Sequence, residues 1–286
     1  MFIKKSLKFV FKTIVLALFM LLMVILVSMI SPFSLEANSS QDSGKTMFLL
    51  LIVTLVYALL MGLVVYYAKG KRKQLIPGLI ISFFGVQTVV GQIEAFFFLT
   101  PLGENWGAGS APVIQMPLEF ILAQLIIWGA VALASAPLAV ILFEKRKPDE
   151  NTAIKFIPQM NTKQWSMKLL MAILAYELLY FSFGYYIAWK DPAILEFYQG
   201  TDPGSFIAQM QNVFSETPSL LGLQAFRAIL WTAFLIPIIS MLKHRKWTGA
   251  ILTGLFAALL ITAPHIIPNA LMPEAVRISH FIETSS

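Results

Sequence analysis

Apolar stretches of about twenty residues, separated by short polar or charged connectors, recur along the whole chain. Seven are long enough to cross roughly 30 Å of hydrocarbon at about 1.5 Å per residue: 13–31, 47–68, 76–99, 118–143, 167–189, 221–242 and 248–267. This pattern predicts an all-α fold, a polytopic transmembrane helical bundle forming a single integral membrane domain over 1–286.

The connectors carry their own signals. In 190–220, Asp202-Pro203-Gly204 offers an N-cap followed by a proline suited to the first helical position. Phe206, Ile207, Met210, Val213 and Phe214 then recur at helical spacing, predicting an amphipathic segment over about 203–215 against the outer leaflet. Residues 101–117, with Gly103, Gly107, Gly109, Pro112 and Pro117, read as an irregular loop, and 144–164 as a short polar connector. After Pro273, the residues Arg277, His280 and Glu283 follow at steps of three, beside Val276, Phe281 and Ile282. That spacing predicts a helix folded over the mouth of the bundle in the tail 273–286.

Composition narrows the class. The 286 residues are 58% hydrophobic and 13% charged, with a mean hydropathy of +0.76. These values exclude a secreted scaffold, a nucleic-acid reader and a cytosolic enzyme. The absence of cysteine excludes disulfides, thiolate nucleophiles and thiolate metal sites.

Charge gives the chain a direction. The pI near 9.4 reflects basic residues gathered in alternate connectors. Seventeen of the 21 lysines and arginines precede the first span or lie between spans two and three, four and five, or six and seven. The opposite connectors hold Lys45, Lys190 and Arg277, so the amino terminus is expected in the cytoplasm and the carboxy terminus outside. Lys4, Lys5, Lys8 and Lys12 before an apolar run also have the shape of a signal peptide. The run from Ile14 to Ile30 is longer than a signal core, however, and no small-x-small cleavage site follows, so a retained anchor is expected.

Polar groups inside hydrocarbon need a partner, water or a function, because a charged side chain there costs about 2.5–3.5 kcal/mol on insertion scales. By helical rise, Glu94, Gln92, Gln124 and Arg227 lie about 8–10 Å below the outer boundary. Gln87 and Glu177 lie near the midplane, and His265 at the outer surface. Gln87, Gly91 and Glu94 fall on one face of the third span, and Glu177, Tyr180 and Gly184 on one face of the fifth. Gln224, Arg227 and Trp231 share a side of the sixth. The expectation is an outer-half polar site in which these stripes face inward.

The residues admit structural readings as well. Arg227 can pair with Glu94 or Glu177 purely to fix helix register. Glu177 can be a proton relay or a protonated acid bonded to a tyrosine, and the glutamines can be interhelical glue. Pro137, Pro237 and Pro264 are ordinary in membrane helices as well as useful at unwound sites. His280-x-x-Glu283 has metal-ligand spacing but lacks a companion motif, so no metal and no cofactor is assigned.

The seven spans differ from retinal proteins in orientation and in lacking a lysine between 248 and 267. His265-x-x-x-Asn269 resembles one motif of the CAAX-protease-like membrane family, but the paired glutamates and following arginine of that family are absent. Rhomboid-type serine, His-Glu-x-x-His and P-loop motifs are also absent.

Three functions fit. The leading one is binding or transport, at the plasma membrane, of a small or lipid-like molecule, anionic if it engages Arg227. In it Glu94 and Glu177 handle protons or countercharge, and Gln87, Gln92 and Gln124 supply hydrogen bonds. A second is an intramembrane enzyme acting on a lipid-linked substrate, with Glu94, His265 or His280 as acid or base. A third is an accessory subunit whose polar stripes meet a membrane-protein partner. Membrane lipids are expected partners in every case, and nucleic acid in none.

Overall fold

The computed structural model describes residues 2–30, 43–100, 117–144, 160–198, 200–268 and 272–285. All but Pro117 of the expected loop over 101–117, most of the 144–164 connector and Asn269 lie outside them. The described residues are predominantly helical, and seven helices among them are long and apolar enough to cross a membrane. The chain is an integral membrane protein of the helical-bundle type.

Helix α1 is Phe2–Ile30 and α2 is Ser43–Tyr67. The third span joins α3, Arg72–Phe84, through a π-helical turn, Gly85–Val89, to α4, Val90–Leu99. Then come α5, Leu118–Phe143; α6, Thr162–Tyr186; and two short helices, α7, Pro192–Phe197, and α8, Phe206–Glu216. The last spans are α9, Pro218–Leu242, and α10, Lys246–Thr262, before α11, Glu274–Ser285.

Most helices begin before the apolar runs do. Hydropathy marks the part that sits in hydrocarbon, whereas a helix continues until its backbone is capped. Thus α6 begins five residues ahead of the expected 167, where Asn161 and Gln164 form a reciprocal capping box.

The main core is built around α2, whose Val53, Tyr57, Ala58 and Met61 are fully buried. Leu16 and Met20 of α1, Leu79 and Phe83 of α3, and Phe256 and Leu260 of α10 pack around them. Small residues on α5 (Ala132, Ser135, Ala136 and Ala139) are fully buried, which allows neighbouring helices to approach closely. Helix α6 is peripheral. Of its side chains only Phe181 and Tyr185 are buried, and it packs chiefly on α9.

Two details fix helix register. Pro264 has no N–H to donate to the carbonyl four residues earlier, and that carbonyl, Leu260 O, instead accepts from Tyr57 Oη at 2.8 Å across the core. At Gly85, a Cβ would lie 2.2 Å from Phe234 Cγ, so only glycine lets α9 seat its phenyl ring there. Ser82 Oγ donates to Phe234 O at 2.6 Å beside it.

The connector between α6 and α9 folds differently from expectation. Asp202 does not cap α8. It accepts from Gly204 N at 2.9 Å and from Lys190 Nζ at 3.0 Å, and these two donors hold its carboxyl below the usual range. Gly204 adopts φ +76°, which breaks the helical path, and Ser205 Oγ caps α8 by accepting from Ala208 N. The helix therefore starts at Phe206 rather than near 203. Asp191 and Pro192, as cap and first residue, start the unexpected α7. Ile194 and Phe197 of α7 pack with Leu99, Ile121 and Val276 in a second, small apolar core, which seats α11 on that end of the bundle.

Candidate functional site

A polar cluster lies at the α11 end of the bundle, between α4, α6, α9 and α11. Its centre is Arg227 of α9. Nη1 and Nη2 donate to Glu94 Oε1 and Oε2 of α4 at 2.7 and 2.6 Å, a bidentate pair joining two spans. Nη1 also donates to Gln224 Oε1 at 2.9 Å, one helical turn away. The Arg227 side chain is 6% exposed and that of Glu94 20%, so the carboxylate is the more open partner. The guanidinium Cζ lies 5.7 Å from the centre of the Tyr176 ring of α6. Tyr176 stacks in turn on Tyr180, with ring centres 6.5 Å apart.

Buried polar atoms in this cluster remain without partners among the described residues. They include Arg227 Nε, Gln224 Nε2 and His265 Nδ1. Buried polar atoms are nearly always hydrogen-bonded, so each marks a place where water or a ligand group belongs. Arg227 Nε and Gln224 Nε2 are donors.

Beside the pair, α11 contributes His280 and Glu283. His280 Nδ1 is 3.5 Å from Glu283 Oε2, and its Nε2 is 3.5 Å from Tyr198 Oη. Its ring stacks on that of His265, with centres 5.7 Å apart and planes 22° from parallel. Burial alone would lower the His280 pKa. The hydrogen bond and charge of Glu283, with Glu94 farther away, outweigh it and hold His280 above the usual histidine range. The Tyr198 hydroxyl is pushed up by burial and then by the charges of Glu94 and Glu283. Arg277 Nη1 donates to His265 O at 3.0 Å, and the Thr262 and Thr284 hydroxyls meet at 2.9 Å, so two hydrogen bonds and the histidine ring stack fasten α11 to the last span.

The structure brings together Glu94, Arg227, His265 and His280 from the sequence-derived candidates, with Gln92 on the same helix as Glu94. Others lie elsewhere. Gln87 is beside Tyr57 and accepts from its neighbour Thr88. The π turn at Gly85–Val89 takes more residues per turn than an α-helix, so the seven-residue spacing from Gln87 to Glu94 no longer keeps one face. Gln124 accepts from Trp128 Nε1 at 3.0 Å within its own helix. Glu177 stays half-exposed on α6, away from the pair. Tyr176 and Tyr198 were not candidates in the sequence. Tyr198 follows α7, whose Asp-Pro start was its only local signal.

Among the described residues no group of three or more histidine, aspartate or glutamate side chains converges as a metal site. His280 and Glu283 face each other. No protein-family model matches the chain, and no curated protein or solved structure matches it.

Proposed function

We propose that the chain is a plasma-membrane protein of the bacterial cytoplasmic-membrane type, with α11 on the extracytoplasmic side. It binds or moves a small or lipid-like molecule through the polar cluster at that end. The observation that carries this reading is the pair of buried, unpartnered donors, Arg227 Nε and Gln224 Nε2, beside an ion pair. They suit a group rich in hydrogen-bond acceptors, such as a carbonyl, carboxylate or phosphate. Because Glu94 already neutralises Arg227, the ligand is recognised by hydrogen bonding as much as by charge.

The test is native mass spectrometry of gently extracted wild-type protein beside Gln224→Leu and Gln224→Glu, each of which removes the Nε2 donor. The expected result is a bound acceptor-bearing species in the wild type and its depletion, at least tenfold, in variants that keep their melting temperature. A wild type free of bound species, or wild-type occupancy in both variants, would overturn the reading.

A second reading is an enzyme acting on a lipid-linked substrate, favoured by His280 held between Glu283 and Tyr198. A histidine with an adjoining carboxylate is suited to general acid–base work near neutral pH. In that case His280→Gln retains the bound species and stops its turnover.

A further inference from the structure

At the opposite, lysine-rich end, two interhelical turns meet. The turn between α2 and α3 carries Lys69, Lys71, Arg72 and Lys73, and the turn between α9 and α10 carries Lys243, His244, Arg245 and Lys246. Lys69 N–H donates to Met241 O at 3.2 Å, which locks the turns side by side. Gly70 at φ 148° permits the first turn. Gly249 permits the second, because a Cβ there would lie 2.7 Å from Leu242 O.

This concentrates positive charge with little to balance it among the described residues. Arg72 pairs with Glu144, the one ion pair formed here among the described residues. Arg245 lies over the Tyr67 ring, Cζ 5.9 Å from its centre. Burial and then the charges of Lys69 and Arg245 hold the His244 pKa below the usual histidine range, so His244 is neutral at pH 7 in a strongly positive field. Lys69, Arg245 and Lys246 are exposed.

The surface below this patch is apolar and outward-facing. Trp247, next to Lys246, is 83% exposed, and Ile251 and Leu255 follow at steps of four, also exposed. They form one stripe down α10 from the basic turn into the span. A free anion has no use for such a stripe, whereas a lipid matches both parts: a phosphate at the turn and a chain along the helix.

We propose that the paired turns form a binding site for an anionic phospholipid, with its phosphate held by Lys69, Arg245 and Lys246 and an acyl chain laid along Trp247, Ile251 and Leu255. The site is separate from the α11-end cluster and independent of the function assigned to it. It favours lipids whose headgroup leaves a net negative charge over zwitterionic ones.

The test uses delipidated full-length protein in a neutral detergent. It is titrated with phosphatidylglycerol, phosphatidylcholine or inorganic phosphate and read by native mass spectrometry. The expected result is at least tenfold tighter binding of phosphatidylglycerol than of phosphatidylcholine, and no competition from inorganic phosphate at equal concentration. Lys69→Gln/Arg245→Gln/Lys246→Gln should remove that preference. Lys5→Gln/Lys8→Gln, on α1, which packs on α2 and α5, should keep it.

A photoreactive phosphatidylglycerol on the wild type provides a readout free of folding effects in the variants. Its crosslinks should map to residues 67–73 and 243–255. Equal affinity for both lipids, displacement by inorganic phosphate, the same loss in both variants, or crosslinks concentrated elsewhere would each sink the proposal.

Discussion

Arg227 and Glu94 are separated in the chain by two intervening spans and meet through two parallel hydrogen bonds. Removing one partner of a buried pair leaves the other's charge unmatched, at a cost of about 3–5 kcal/mol. Arg227→Met and Glu94→Leu should therefore each lower the thermal stability of the detergent-solubilised protein strongly. The double variant should recover much of the loss, because no lone charge remains. Additive losses would mean that the two side chains do not act as a pair. The sequence held both residues and offered this pairing, but it also offered Glu177, and nothing in helical spacing chose between them. That choice depends on which face α6 turns toward α9, a tertiary property.

At the scale of the element, α11 rests on the bundle through a small apolar core and a few polar contacts, with His280 among them. The sign of its pH response follows from the raised His280 pKa. Protonated His280 favours the docked helix, so this contribution is complete below the ordinary histidine value of about 6.5. It is lost as pH rises through the higher, docked value. Amide exchange in 274–285, corrected for the intrinsic pH dependence of exchange, should therefore speed up above neutrality in the wild type. His280→Gln should be fast and flat across that range. A wild-type profile that slows with rising pH would contradict the assignment.

The elements themselves were largely legible. The apolar runs located all seven long helices, and Pro273 located α11, whose first residue is Glu274. Legibility failed where local backbone geometry intervenes. Gly204 moved the start of α8, Asp191 created α7, and the π turn separated Gln87 from Glu94. The site was half legible for the same reason. Its Gln224–Arg227 stripe lies within the single helix α9 and can be read from spacing, while Glu94 is reached past the π turn and the tyrosines arrive through a connector fold and a packing choice.

For the whole molecule, the two ends differ in chemistry: one carries the basic turns, the other the Arg227 cluster beneath α11. The positive-inside bias predicts that the basic end faces the cytoplasm. The chain has no cysteine, so single cysteines report without background. Glu274→Cys, at an exposed position on α11, should react with an impermeant maleimide in intact cells. Lys73→Cys, exposed at the basic end, should react only after the membrane is opened. The reverse pattern would place the Arg227 cluster on the cytoplasmic side.

The π turn at Gly85–Val89 also bears on how this gene can change length. Such a turn accommodates one residue more than an α-helical turn does, and each residue of an α-helix advances the side chains by about 100°. Loss of a single codon from this stretch would therefore be absorbed as the π turn closes to an α turn, with the flanking helices keeping their phase. Loss of one from Val90–Ile93, which is already α-helical, would instead rotate Glu94 away from Arg227. Descendants that keep the ion pair should keep the residue count from Val90 to Glu94 and place any change of length within Gly85–Val89.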